Sequence, residues 1–168
     1  MQQLNIDWKA AIGSGLIAGV VFLALEMMMV PLIGGGSPWG PPRMMAAILL
    51  GKGVLPPPAT FDAGIVMVAM ALHLVLSAVY GGGFSLVVSR LSKGVALATG
   101  AVGGLVLYLV NFYGFTAVFP WFAMARTPIT IFTHIVFGLV AVWAYLALVK
   151  RHQHHATPGG ANLQQHGA

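Results

Sequence analysis

The stretch Leu16–Pro31, LIAGVVFLALEMMMVP, decides how this chain is read. It belongs to an apolar run extending from about Ala10 to Ile33, and it holds one carboxylate, Glu26. About 20 apolar residues suffice for a helix to cross the hydrocarbon of a bilayer, and this run supplies them. A charged group at that depth costs about 2.5–3.5 kcal/mol on insertion scales, so a carboxylate kept there needs a partner, a proton or a task.

Three further runs pass the same length test, at about 63–89, 94–118 and 128–149. Asp62 is placed to cap the second. Thr127 caps the fourth, with Pro128 at the first helical position, where a missing N–H costs nothing. Backbone polar groups in hydrocarbon must be paired within their own segment, and none of these runs alternates as a barrel strand does. The predicted fold is therefore all-α, a four-helix transmembrane bundle over residues 1–151. A flexible polar tail is expected over 152–168; its RHQHH run reads as solvated chain.

Composition agrees. Of 168 residues, 58% are hydrophobic and 7% charged, with a mean hydropathy of +0.89; soluble domains carry about 25% charged residues. The net charge of +5 sets eight Lys/Arg against Asp7, Glu26 and Asp62. These bases are scattered between apolar runs, which suits anchoring beside a membrane and offers no nucleic-acid face. With no cysteine there is no disulfide or thiol chemistry. Lys9, Arg90, Lys93, Lys150 and Arg151 fall at one end of the spans, and Arg43, Lys52 and Arg126 at the other. The positive-inside rule then places both termini in the cytoplasm. The opening segment MQQLNIDWKA holds a single Lys9, and no small-residue cleavage site follows the first run, so that run reads as a retained span.

The connection over 34–61 is long and rich in Gly and Pro. Within it PPRMMAAILLGKG reads as a short helix, too short to span and suited to the interface. Trp39 and Trp121 fall at the same boundary and read as an aromatic belt.

The two halves of the chain resemble each other. An offset of 85 residues pairs Gly15 with Gly100, Gly19 with Gly104 and Glu26 with Asn111. An offset of 61 pairs His73 with His134 and Arg90 with Arg151. This predicts two tandem helical hairpins, a parallel internal repeat about an axis along the membrane normal. The spacing Gly15/Gly19 and Gly100/Gly104 lets helix backbones approach closely, a packing role.

At 1.5 Å rise per residue, Glu26, Asn111 and His134 lie roughly 9–12 Å below the outer ends of their spans, and His73 roughly 16 Å. These four form a candidate intramembrane polar cluster. One reading is a hydrogen-bonded structural layer that satisfies polar groups in hydrocarbon. A second is a cofactor site, in which His73 and His134 ligate a b-type haem, or histidine joins Met27–Met29 around copper. A third is a proton or solute path through Glu26. Nucleophile elbows, phosphate loops, dinucleotide fingerprints and carboxylate pairs are absent, so no enzyme activity is expected.

The spans HLVLSAVY and HIVFGLVA, with glycine-rich spans before them, resemble small bacterial four-span inner-membrane proteins of unknown function. The resemblance covers residues 10–150 and implies a bacterial inner-membrane location without assigning a site. The expected role is an accessory or structural subunit of a larger, energy-transducing membrane complex, with the lipid bilayer and other membrane subunits as partners. The alternatives are the haem- or metal-binding redox bundle and a small proton or solute transporter.

Overall fold

Helix caps set the frame. The Asp7 carboxylate accepts the Ala10 N–H at 2.9 Å and opens α1, Trp8–Leu32. Asp62 accepts the Ile65 N–H at 3.0 Å and opens α3, Ala63–Val88. The Thr127 hydroxyl accepts the Thr130 N–H at 3.2 Å and opens α5, Pro128–Ala156. Between them lie α2, Gly40–Leu50, and α4, Lys93–Leu109. The computed structural model describes residues 6–156; residues 1–5 and most of the expected tail, 157–168, lie outside the described residues. Among the described residues there is no strand. Four helical segments are long and apolar enough to cross a membrane: Trp8–Leu32, Ala63–Val88, Lys93–Ala117 and Pro128–His154. The chain is an all-helical membrane protein.

Two boundaries differ from the expectation. The third span is not one regular helix: α4 stops at Leu109, and the chain continues through a π-helical turn, Val110–Gly114, and a 3-10 turn, Phe115–Ala117. The fourth does not end at Val149. It continues to Ala156 and carries Lys150, Arg151 and His152 within the helix. There the His152 imidazole Nδ1 pairs with Asp7 Oδ2 and ties the end of α5 to the start of α1. This side of the bundle is called the terminal end below, and the α2 side the loop end.

Around the bundle the order is α3, α1, α5, α4, with α1 central to one flank and α5 to the other. Both main seams are built on glycine. A Cβ on Gly15 would strike the Ser77 carbonyl and sit 3.0 Å from Gly81 Cα, so α1 and α3 meet backbone to backbone. Gly19 lies against Ser77 and 3.4 Å from His73 Nε2 by the same measure. On the other flank, Gly100 faces Gly138 and Val142, and Gly104 faces the His134 carbonyl. Small residues at such crossings replace the missing hydrophobic drive between helices in lipid with close packing. α3 and α4 touch chiefly where Phe84 fills the space beside Gly103.

At the loop end, α2 packs against α3. Trp121 is not on the membrane-facing rim: it is buried and donates its indole N–H to the Met44 carbonyl at 3.0 Å. Trp39 packs against Phe61. Arg43, also buried, donates to the Thr60 and Val54 carbonyls and so brackets the returning loop onto α2.

The seams give a direct test. Gly15→Leu and Gly104→Leu are expected to destabilise the protein by about 1–3 kcal/mol through overpacking. Gly83→Ala, with nothing within 4 Å of the added Cβ, is expected to be neutral or stabilising. Unfolding midpoints in mild detergent decide it. The clasp gives a second test. The backbone N–H of Ala10, foremost, holds the Asp7 carboxyl below its ordinary value, and His152 adds to this. A depressed carboxylate stabilises the fold above its unfolded value, and that contribution is lost as pH falls through the folded one. Asp7→Asn is therefore expected to flatten stability against pH below about pH 4, the ordinary carboxylate range, and to leave the neutral-pH cap in place.

Candidate functional site: a polar layer on a membrane cavity

A cavity of about 510 Å³ occupies the loop half of the bundle. Its walls come from α1 beyond Phe22, from Ala69 to Tyr80 of α3, from the irregular end of the third span and from the start of α5, and α2 roofs it. The lining is mostly phenylalanine, methionine and aliphatic side chains. All four residues of the expected polar cluster line it: Glu26, His73, Asn111 and His134. None of its lining residues is lysine or arginine.

Each polar group is held from a different element. Glu26 is 5% exposed. Its Oε1 accepts the Thr133 hydroxyl of α5 at 2.7 Å. Its other oxygen, Oε2, has no donor among the described residues and is not fully buried. His73 Nε2 lies 2.9 Å from the Gly19 carbonyl. A carbonyl only accepts, so Nε2 carries the proton and Nδ1 is left as an acceptor. His134 Nδ1 lies 2.7 Å from the Thr130 carbonyl one helical turn back, so its proton is on Nδ1. Its Nε2 then accepts from the Asn111 amide at 3.3 Å, and Asn111 Oδ1 accepts the Tyr80 hydroxyl at 3.4 Å. The two imidazoles are opposite tautomers, each fixed by a backbone carbonyl.

The four residues share the cavity wall but form no single bonded cluster. Only Asn111 and His134 bond to each other. The Phe22 ring separates the histidines, stacked on His73 with centroids 5.4 Å apart and edge-on to His134 at 4.9 Å. This bears on the haem reading. An iron held between the two rings would need Phe22 displaced, His73 Nε2 freed from Gly19 and His134 Nε2 freed from Asn111; the residues present do not fit that ligation. Among the described residues there is no group of three His, Cys, Asp or Glu side chains placed to hold a metal ion.

The glycines take their places at the α1–α3 and α4–α5 seams, on the terminal side of the cavity. Sequence reasoning missed Thr133, Phe22 and Tyr80. Thr133 had a signal: Thr130, Thr133 and His134 stand at i, i+3 and i+4, on one face of α5. The π-helical turn at Asn111 had none, although such turns gather at functional sites.

No protein-family model, curated protein or solved structure matches the chain.

Imidazole ¹⁵N spectra of the protein in lipid nanodiscs are expected to show a protonated Nε2 on His73 and a protonated Nδ1 on His134. Thr133→Val strips Oε1 of its donor and is expected to cost about 1–3 kcal/mol of stability, the usual penalty for an unsatisfied buried acceptor. An unchanged unfolding midpoint would show that the carboxylate does not depend on this hydroxyl.

Proposed function

We propose that the chain is a membrane-embedded binding protein whose cavity takes a small amphiphilic molecule from the bilayer. One observation carries this: a cavity of about 510 Å³, apolar over most of its wall, with a few polar groups gathered in one layer. Ligand sites commonly run about 300–1,000 Å³ and combine an apolar wall with a few placed polar groups. The position of the cavity between sparsely touching α3 and α4 favours a ligand that partitions into lipid first. Of the roles expected from the sequence, solute handling suits this geometry best. Service as a subunit of a larger complex has no observation of its own, and the haem reading fails on Phe22.

The tandem-hairpin reading belongs to the same proposal. The offsets of 85 and 61 residues carry the contact of Gly15 with Ser77 and Gly81 onto that of Gly100 with Gly138 and Val142. They also carry Gly19 against His73 onto Gly104 against His134. Matching seams support a duplicated hairpin, with the cavity where the two halves face each other. A bacterial inner membrane with both termini cytoplasmic is the setting proposed from the bases and the resemblance.

The test uses a pair of aryl probes of one shape, one ending in a tert-butyl group and one in trimethylammonium. Saturable binding of at least one of them to the protein in lipid nanodiscs, above partition into empty nanodiscs, is expected. Leu76→Trp, which places an indole in the cavity wall, is expected to abolish it. Partition alone for both probes would overturn the binding reading.

A further inference from the structure

We infer that the cavity selects a lipophilic cation, seated on Glu26, and that this cation and a proton compete for the carboxylate. The inference rests on the binding reading above and gives the ligand its chemical class.

Three independent features of the wall point the same way. The first is the unmatched carboxylate. Glu26 is 95% buried by its 5% exposure, Oε1 is taken by Thr133, and Oε2 has no donor among the described residues. A buried charge needs a partner, and the lining holds no lysine or arginine to provide one. The second is the direction of the hydrogen bonds. His73 spends its N–H on Gly19 and His134 spends its N–H on Thr130, so neither ring can donate to Glu26. What His73 leaves unused is an acceptor, Nδ1, on a ring that lines the same cavity as Glu26. The layer asks for a donor or a positive charge and repels an anion. The third is the aromatic wall. Phe22, Phe112, Phe115, Phe119, Phe122 and Phe137 all border the cavity. Ring faces attract cations, ammonium groups above all, and more strongly where water is excluded. Methionine thioethers at Met27, Met44, Met45 and Met70 add a soft, adaptable surface for an apolar body of variable shape.

The proton follows from the same geometry. Without a cation, the carboxylate in this apolar wall is neutralised by a proton. A cation arriving at Oε2 neutralises it instead, and the proton leaves to water. The titratable groups that face the cavity are Glu26 from α1, His73 and Tyr80 from α3 and His134 from α5; α2 and the third span contribute none. Both imidazoles are tied to backbone carbonyls and Tyr80 to Asn111, so Glu26 is the group that exchanges.

The experiment compares the trimethylammonium probe with its neutral tert-butyl isostere, by calorimetry in nanodiscs of zwitterionic lipid. The wild type is expected to bind the cation at least about tenfold more tightly than the isostere. Glu26→Gln, near-isosteric and checked for folding by its unfolding midpoint, is expected to erase that advantage. Cation affinity is expected to rise with pH in the wild type, as the competing proton becomes scarcer, and to stay flat in Glu26→Gln. Equal affinity for the two probes in the wild type, or a cation advantage kept in Glu26→Gln, would overturn the inference and leave the binding reading standing. Saturable binding of neither probe would overturn both.

Discussion

Backbone-to-backbone approach at glycine is the constraint on which the rest of this bundle depends. On α1, Gly15 meets the α3 backbone at Ser77 and Gly81, with Ala11 beside it, and Gly19 lies against the Ser77 and His73 side chains. On α4, Gly100 and Gly104 meet the α5 backbone at Gly138 and His134. The cavity-lining residues of α1 start at Phe22 and those of the third span at Leu107. The terminal half of the bundle is thus drawn tight and the loop half is held open by large side chains. Lipid gives no hydrophobic reason for helices to associate, so the tight half must fix the geometry that the open half uses. Phe84 against Gly103 and the Tyr80–Asn111 bond link α3 to the third span at the junction between the halves.

The polar layer is costly, and its construction shows how the cost is met. Each imidazole is bound first to a carbonyl of the helix backbone, which fixes ring and tautomer without any charge. Asn111 then links the irregular end of the third span to α5 and, through Tyr80, to α3. Its place in a π-helical turn matters, because such a turn shifts the register by one residue and re-aims the side chains beyond it. Glu26 is the one acid of the layer, with Oε1 held by Thr133 and Oε2 without a donor among the described residues.

Much of the fold was legible because membrane spans declare themselves by length and apolarity. The caps at Asp62 and Thr127 and the glycine spacing follow from local rules that tertiary packing did not override. The irregular end of the third span was not legible: VNFYG has no proline and no unusual composition, and nothing in its periodicity separates a π-helical turn from an α-helical one. The extension of α5 past Val149 carries a contact between residues 7 and 152, which no local pattern contains. The polar residues of the site could be found because each is rare within its span. Their pairing could not, since depth along a helix says nothing of rotation about its axis. Hence Glu26 meets Thr133 rather than a histidine, and Phe22, which looked like one more apolar residue, stands between the two rings.

The offset of 85 residues sets Asn111 against Glu26 in the sequence, and the difference between them is instructive. Asn111 satisfies a histidine on one side and a tyrosine on the other, and so completes its half of the layer. Had Glu stood there as well, two carboxylates in one apolar cavity would compete for the same proton, and mutual repulsion would keep one of them neutral. Had Asn stood at 26, the wall would carry no formal charge and no means of choosing between a cation and a neutral molecule of the same shape. Glu26 gives the cavity one carboxylate at a fixed place, with both imidazoles tied to backbone carbonyls around it. On the proposed reading, this asymmetry is what lets the layer discriminate between a cation and a neutral molecule.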